Sequence, residues 1–253
     1  GTALGFGSSA AGTYSVAVGD STAGAANSVA VGRNASASAT DATAIGGADA
    51  PADAARAQGA RSTAMGWGAT AAATGSISVG DSSANTQNTI AIGTGATATG
   101  TGATEGAVAI GYNARATQYL SLALGTRSTA SNYWAIAIGD MSRASGSDSL
   151  AVGSSALASG AASTAVGVLA TAEDESAVAI GGGSRATGEQ SIAIGGGDYT
   201  TTSMSDGASA SGDRAISIGY RAIASVDDGV ALGSRSVATT AAGVAGYDPR
   251  TGL

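Results

Sequence analysis

The feature that most constrains this chain is a short segment that recurs along its whole length. Residues 15–19 read Ser-Val-Ala-Val-Gly, and near-copies of this segment end at 16 glycines. Of the 15 intervals between these glycines, ten are 14 residues long, two are 13, and the others are 18, 20 and 24. A unit this short cannot bury an apolar face alone, so its copies must stack as a solenoid. The repeat glycines are Gly5, Gly19, Gly32, Gly46, Gly66, Gly80, Gly93, Gly111, Gly125, Gly139, Gly153, Gly167, Gly181, Gly195, Gly219 and Gly233.

The overall composition, taken without the repeat, is typical of a flexible low-complexity chain. The 253 residues include 41 glycines, and only 4% are aromatic and 11% charged. The columns of the repeat argue against disorder. The position before each repeat glycine is always large and aliphatic or Met, and the position two before it is only Ala or Ser. We therefore expect an ordered fold, except at the two ends and in the longest insertion.

Each unit contains two strand-like segments. Large, small and large residues precede the repeat glycine, which is the period-2 pattern of a strand, and the glycine supplies the positive φ of a tight corner. Three and five residues after the glycine the chain is again small, as at Ala114 and Ala116, while the residue between them is unconstrained, as at Arg115. This predicts a second short strand. The expected fold is all-β: a parallel β-roll with about 14 residues, two strands and two corners per coil.

The large side chains that precede the repeat glycine can point in one of two directions, out of the roll or into it. If the small columns of both strands face each other, the roll is thin and the Val and Ile columns form an outward apolar stripe. A soluble monomer does not keep such a stripe exposed, and three-fold self-association is one closed solution. The alternative places Val and Ile inside and Ala outside. We favour the thin roll, because restriction to Ala or Ser is expected where space is tightest. The expected trimer-interface residues are Val16, Val18, Val29, Val31, Ile90, Ile92, Val108, Ile110, Ile136, Ile138, Val178, Ile180, Ile192 and Ile194.

Three segments carry a resemblance to a known family. Residues 27–32 (Asn-Ser-Val-Ala-Val-Gly), 88–93 (Asn-Thr-Ile-Ala-Ile-Gly) and 190–195 (Gln-Ser-Ile-Ala-Ile-Gly) are similar to the repeat of the YadA-like head of trimeric autotransporter adhesins. The resemblance covers residues 1–240. It implies a left-handed parallel β-roll, assembled as a homotrimer and displayed on the bacterial surface.

The resemblance also implies a function and a location. The expected role is attachment to host extracellular-matrix proteins or other cell-surface molecules, including autoagglutination and virulence, by multivalent binding. The alternative is a rigid spacer that projects another adhesive domain. Residues 241–253 resemble the start of a connector to a following domain. We expect a fragment without direct membrane contact, attached to the outer membrane through a C-terminal anchor outside this sequence.

The charge pattern gives candidate ligand-binding residues. The chain contains 11 basic residues, all Arg, and 18 acidic ones, and its net charge of −7 argues against nucleic-acid binding. Six arginines fall into two columns of the repeat, one four residues and one two residues after the glycine. The alternative is a solubilising face that pairs with acids such as Asp20, Asp81 and Asp140. The two columns are Arg115, Arg143 and Arg185, and Arg127, Arg221 and Arg235.

The three long intervals are further candidates for specificity. They contain insertions at residues 47–59, 94–107 and 196–212, the last of which includes the candidate ligand-binding residue Tyr199. Insertions in repeat proteins map to loops at one corner, often on the binding face. The alternative is that they are tolerated loops without a partner. The aromatic residues Trp67, Tyr112, Tyr133 and Trp134 are expected near the corners, as contacts or as covers of strand edges.

Catalysis has little support in this sequence. The chain contains no His, which excludes histidine-based triads and histidine-ligated metals. The left-handed hexapeptide acyltransferases have a six-residue step and typically use a His. The densest acidic cluster, residues 173–175, is expected to be a solvated corner. We expect a protein that is not an enzyme and has no cofactor or metal; the absence of Cys also leaves no disulfide.

Overall fold

The fold consists of short parallel β-strands that repeat coil by coil. A computed structural model describes residues 1–100, 106–197 and 206–240. These residues contain 16 long strands of three residues and 16 short strands of two residues, in alternation. Each long strand ends at the residue before a repeat glycine. We call the turn between that glycine and the next short strand the glycine corner, and the turn that leads to the next long strand the return corner.

The chain divides into two compact units between Asp148 and Ser149. The first unit contains ten coils, in which the long strands pair with one another in sequence order and the short strands do the same. Its strands are β1 (Thr2–Leu4), β2 (Ser9–Ala10), β3 (Val16–Val18), β4 (Thr22–Ala23), β5 (Val29–Val31), β6 (Ser36–Ala37), β7 (Thr43–Ile45), β8 (Arg56–Ala57), β9 (Thr63–Met65), β10 (Thr70–Ala71), β11 (Ile77–Val79), β12 (Ser83–Ala84), β13 (Ile90–Ile92), β14 (Thr97–Ala98), β15 (Val108–Ile110), β16 (Arg115–Ala116), β17 (Leu122–Leu124), β18 (Thr129–Ala130), β19 (Ile136–Ile138) and β20 (Arg143–Ala144).

The second unit repeats the arrangement with six coils. Its long strands form one parallel set and its short strands another. Its strands are β21 (Leu150–Val152), β22 (Leu157–Ala158), β23 (Thr164–Val166), β24 (Thr171–Ala172), β25 (Val178–Ile180), β26 (Arg185–Ala186), β27 (Ile192–Ile194), β28 (Ser209–Ala210), β29 (Ile216–Ile218), β30 (Ile223–Ala224), β31 (Val230–Leu232) and β32 (Val237–Ala238).

The strand register places equivalent residues of successive coils beside one another. In the β17–β19 pair, for example, Leu122 lies opposite Ile136 and Ala123 lies opposite Ala137. Each column of the sequence repeat is therefore a row in the folded protein. This confirms the predicted parallel solenoid, with two short strands per coil and 16 coils in all.

The interior of each coil is filled by very small side chains. The central alanines of the long strands, such as Ala123 and Ala137, and the alanines of the short strands, such as Ala116 and Ala130, are fully buried. Thr89 is the largest fully buried side chain among the described residues. The thin-roll prediction is confirmed and the reverse orientation is wrong. The large residues of the long strands therefore point outward.

Several buried serine hydroxyls donate hydrogen bonds to carbonyl oxygens of the turns at the two corners. At the return corner the hydroxyl of Ser28 donates to the carbonyl of Ala25 at 2.6 Å, and at the glycine corner Ser142 donates to Gly139 at 3.0 Å. In each case a hydroxyl in an interior column bonds the carbonyl three residues back. Ser is accepted beside Ala because it is nearly as small, and at Ser28 and Ser142 the buried hydroxyl has a local partner. The buried hydroxyls of Ser62, Ser163 and Ser191, in the same column as Ser28, have no hydrogen-bond partner in the described residues.

The corners require unusual backbone conformations. Gly125 has a φ of 134°, and a Cβ there would lie 2.5 Å from the carbonyl oxygen of Gly139 in the next coil. Glycine is thus required at this position by both conformation and space, and all the repeat glycines share the positive φ. At the return corner, the residue five before the repeat glycine is left-handed whatever its type, as at Asn27 (φ 57°) and Trp134 (φ 53°). For a residue other than Gly, Asn or Asp this conformation costs about 1–2 kcal/mol.

Changes in coil length are absorbed at the corners. The strand bounds show longer intervals from Gly46 to β8 and from Gly195 to β28, at the glycine corner, and from β14 to β15, at the return corner. Residues 101–105 and 198–205 of these intervals lie outside the described residues. The prediction that the insertions share one corner is therefore wrong, because either corner can lengthen without shifting the strands. The first insertion keeps its bonds to both neighbouring coils: Ala48 N–H donates to Arg33 O at 3.1 Å, and Gly68 N–H donates to Asp53 O at 2.6 Å.

Two remaining predictions concern the C-terminal segment and contact with a membrane. The connector predicted at residues 241–253 lies outside the described residues. In the part of the chain that the structure describes, no helix has the length and apolar character needed to span a bilayer.

We predict that Ala165→Val destabilises the fold. Ala165 is the fully buried centre of β23, and two extra methyl groups there overfill the interior, at a cost of about 1–3 kcal/mol in the free energy of unfolding. The control, Ala161→Val, makes the same change at an exposed corner of the same coil and should cost little. Chemical denaturation of both variants measures the difference; equal losses would contradict the packing described here.

Candidate functional site

The most extensive surface feature is the set of large side chains that flank the centre of each long strand. We call this surface the apolar face. Its residues range from half-buried to exposed; Ile45 and Leu124, for example, keep 38% and 40% of their surface accessible. All the residues predicted at a trimer interface lie on it, half-buried except Ile180, which is 39% exposed. They are Val16, Val18, Val29, Val31, Ile90, Ile92, Val108, Ile110, Ile136, Ile138, Val178, Ile180, Ile192 and Ile194.

Strand pairing stacks the side chains of the apolar face in two rows within each unit; the row before each repeat glycine is apolar throughout, and Thr2, Thr43, Thr63 and Thr164 interrupt the other. Ile136 lies beside Leu122, and Ile138 lies beside Leu124, with neighbouring strands about 4.8 Å apart. Ten such strands stack in the first unit and six in the second. Large contiguous apolar patches on soluble proteins mark interaction surfaces.

The first predicted arginine column lies on the short strands and points away from the interior. Arg115 and Arg143 are exposed and flank Thr129, two strand spacings or about 9.6 Å apart. Neither forms a salt bridge within the described residues. Arg185 belongs to the second unit, where its Nη2 lies 3.7 Å from Glu173 Oε1. The structure therefore places two of the three arginines in one row of one unit.

The second predicted arginine column lies at the glycine corner. Arg127 Nη2 lies 3.6 Å from Asp140 Oδ1, as predicted for that acid. In the second unit the guanidinium carbons of Arg221 and Arg235 lie 5.9 and 6.0 Å from the centre of the Tyr220 ring. These arginines already have partners, so their charges are less available to a ligand.

Arg221 also contacts the third insertion, where Asp206 Oδ2 lies 3.6 Å from its Nη2. The predicted acidic partners Asp20 and Asp81 form no salt bridge in the described part of the chain. Tyr199 lies outside the described residues.

The acidic residues of the described part of the chain are the candidate ligands for a metal centre. Residues 173–175 are exposed at a corner, as predicted. Across residues 1–100, 106–197 and 206–240, no group of His, Cys, Asp or Glu side chains is arranged to hold a metal ion.

The best-formed ion pair was not predicted. Arg214 donates from Nε to Asp228 Oδ1 at 2.7 Å and from Nη2 to Asp228 Oδ2 at 3.2 Å. The hydrogen bond from Arg214 lowers the pKa of the Asp228 carboxyl below its ordinary value. Both residues stand five before a repeat glycine in successive coils. That shared position was the available signal, since equivalent positions of neighbouring coils stack.

An aromatic cluster occupies the return corner of the first unit. The Tyr119 and Trp134 rings are nearly perpendicular, with centres 5.8 Å apart, and the Tyr133 ring lies 6.0 Å from Trp134. Tyr133 and Trp134 were predicted near a corner, which the structure confirms, but Tyr119 was not singled out. Trp67 and Tyr112, also predicted near corners, each follow a repeat glycine and are 56% exposed.

In the comparison with known proteins, one family model matches this chain. The YadA head domain repeat matches most of the chain, whereas no curated protein matches it. The matched segments are residues 1–22, 23–48, 57–83, 87–104, 105–128, 130–156, 158–184, 175–197 and 210–244.

We predict that Arg214→Ala raises the pKa of Asp228 toward its ordinary value, because the variant removes the hydrogen bond that stabilises the carboxylate. The pKa is lower in the folded chain, so the pair stabilises the fold above the ordinary carboxyl pKa and this effect is lost as pH falls through the folded value. Carboxyl chemical shifts followed by NMR over a pH titration measure the change. Arg235→Ala, which removes an arginine from another corner, should leave Asp228 unaffected; an unchanged pKa in Arg214→Ala would contradict the assignment.

Proposed function

The chain belongs to the YadA head domain repeat family, and from this membership we propose that it is the head of a trimeric autotransporter adhesin. In this proposal the head is displayed at the bacterial surface, with the whole protein anchored in the outer membrane. Its role is binding rather than catalysis. It attaches the cell to host extracellular-matrix proteins or to other cell surfaces, including those of sister cells in autoagglutination.

The observation that carries the proposal is the apolar face. The interior alanines bury little apolar area per residue, while residues such as Ile136 and Ile138 point outward. Three copies arranged around an axis parallel to the stacking direction would bury these faces against one another in a closed assembly. The trimer thus supplies the hydrophobic stabilisation that a single thin roll lacks.

Attachment in this proposal depends on repetition rather than on one deep pocket. The short strands face away from the apolar face, so their outward side chains remain free in the trimer. Arg115 and Arg143 form part of this surface and have no salt-bridge partner in the described residues. Three copies of such weak sites raise the overall avidity without a strong single contact.

A spacer is the second candidate, and the ion pairs favour it. Arg127 and Arg185 are paired with Asp140 and Glu173, and solvent-exposed pairs of this kind solubilise a surface without implying a ligand. In this alternative the roll projects another adhesive domain from the cell.

We predict that Ile136→Asp combined with Ile138→Asp converts a trimer into monomers. The double variant places charges in the proposed interface, where they would be buried without partners. Light scattering coupled to size exclusion should give three times 23.6 kDa for the parent chain and 23.6 kDa for the variant, with the β circular dichroism retained. The control, Thr129→Asp with Arg143→Asp, changes short strands of the same unit and should remain trimeric. A well-folded monomeric parent would contradict the trimer.

We predict that replacing Arg115, Arg143 and Arg185 together with Ser abolishes attachment and leaves the thermal unfolding midpoint nearly unchanged. The three side chains are exposed, and the one salt bridge among them is a weak surface pair. Binding is measured on immobilised collagens, fibronectin and laminin at low and physiological salt, since screening should weaken an arginine-dependent contact.

The matched control replaces Arg33, Arg61 and Arg214 with Ser, which changes the net charge equally at corner positions. Attachment that survives the first triple substitution would refute the arginine column. A parent chain that binds no member of the panel would favour the spacer.

A further inference from the structure

The aromatic cluster at the return corner is held by the stacking of three successive coils. Trp134 N–H donates to Tyr119 O at 3.1 Å, and Asp148 N–H donates to Tyr133 O at 2.9 Å. These bonds fix the backbone on which the three rings stand. Tyr133 and Trp134 are 43% and 51% exposed, and Tyr119 is half-buried behind them. The result is an aromatic surface that faces solvent, in which the Tyr133 and Trp134 rings are inclined by 47° to each other.

The fold does not require these rings. The position of Trp134 in the repeat is occupied by large residues in some coils, as at Tyr14 and Leu120, and by small polar residues in others, as at Asn27, Asp41 and Asn88, always with the same left-handed backbone. Asn and Asp adopt that conformation more readily than Trp does. A half-exposed ring also gains less from burial than a core residue. The presence of Trp and two Tyr here therefore points to a role outside folding.

We propose that Tyr133 and Trp134, supported by Tyr119, form a stacking platform for a neutral pyranose unit of a glycan. The negatively polarised face of an aromatic ring attracts the C–H groups that line one side of a pyranose, and that side is apolar enough to leave water. The ligand class is a neutral oligosaccharide, bound on the surface of a single chain.

Polar groups at the edge of the platform can bind sugar hydroxyls. The Asp148 carboxylate stands one coil further along, at the position equivalent to Trp134; it is exposed and forms no salt bridge in the described residues. Asn132 is held in place, because its Oδ1 accepts the N–H of Tyr133 at 2.9 Å and its Nδ2 donates to Ser145 O at 3.2 Å. A carboxylate and an amide beside an aromatic face suit a ligand that is apolar on one side and hydroxylated at its rim.

The size of the platform argues against a protein as the ligand. A fully buried aromatic side chain covers about 150–250 Å², so three rings that are half-exposed offer roughly 300 Å². A stable protein interface takes about 800 Å² from each partner. The packing of the rings argues against a cation held between them, because centres 5.8 and 6.0 Å apart leave no space for an ammonium group. The carboxylate of Asp148 disfavours an anion.

This inference does not depend on the trimer, since all the residues belong to one chain. If the chain does assemble, each copy presents its own platform, and the copies together raise the avidity for a branched or repeated glycan. Sugar binding and attachment to matrix proteins can therefore succeed or fail separately.

The test uses the full chain with Trp67→Phe, which leaves Trp134 as its single tryptophan. N,N′-diacetylchitobiose, cellobiose and lactose are titrated against its fluorescence, and at least one should give a saturable change with a millimolar Kd, as expected for a small exposed site. Saturation-transfer NMR on the parent chain should show contact between aromatic protons and the sugar C–H groups. Trp134→Ala should weaken binding about tenfold or more, as for other aromatic anchors, and Tyr133→Ala several-fold.

The matched control is Trp67→Ala, which removes a ring of similar exposure from a glycine corner and should leave sugar binding unchanged. Three outcomes would overturn the platform: no saturable binding of any of the three sugars, equal losses in the Trp67 and Trp134 variants, or a Trp134 variant whose effect is a change in the mass of the assembly. The last result would identify the rings as a contact between copies. None of these results bears on attachment to collagens or fibronectin, which the arginine variants test separately.

Discussion

The narrow space between the two strands of each coil determines most of this structure. It admits a methyl group or a hydroxymethyl group and little more, as the complete burial of Ala123, Ala137 and Ser28 illustrates. Because no large side chain fits inside, the residues that would form the core of another domain point outward on the long strands. The chain therefore has its smallest side chains in its interior and its most apolar face on its surface, and an exposed apolar surface of this extent favours self-association.

Cohesion along each unit comes from backbone hydrogen bonds between neighbouring coils. The ladder continues through the corners, where the repeat glycines approach so closely that a Cβ on Gly125 would meet the backbone of Gly139. A loop can lengthen at either corner because the backbone hydrogen bonds to the neighbouring coils are still made before and after the added residues. In the first insertion, Ala48 bonds to the preceding coil and Asp53 to the following one. Binding surfaces are thus built from residues that the ladder leaves unconstrained.

The sequence predicted the coil, its two strands and the direction of its side chains, because each of those positions accepts one class of residue in every copy. The prediction was weaker at the corners, where Leu, Trp, Arg and Asp all occupy the same column. The Arg214–Asp228 pair and the grouping of Tyr119 with Trp134 depend on which side chains meet across neighbouring coils and on their rotamers. The prediction that the insertions share one corner was wrong, because either corner can lengthen without shifting the strands.

The inter-coil bonds run along the direction in which the coils stack, since strand N–H and C=O groups point to the neighbouring coils. Tension applied along that direction within a unit loads the coils in series, so the weakest junction, rather than the sum of all junctions, sets the force at which the unit begins to unravel. Burial of the apolar face against other copies would couple those junctions in parallel across chains. The assembly would then begin to unravel at a higher force than a single thin roll does.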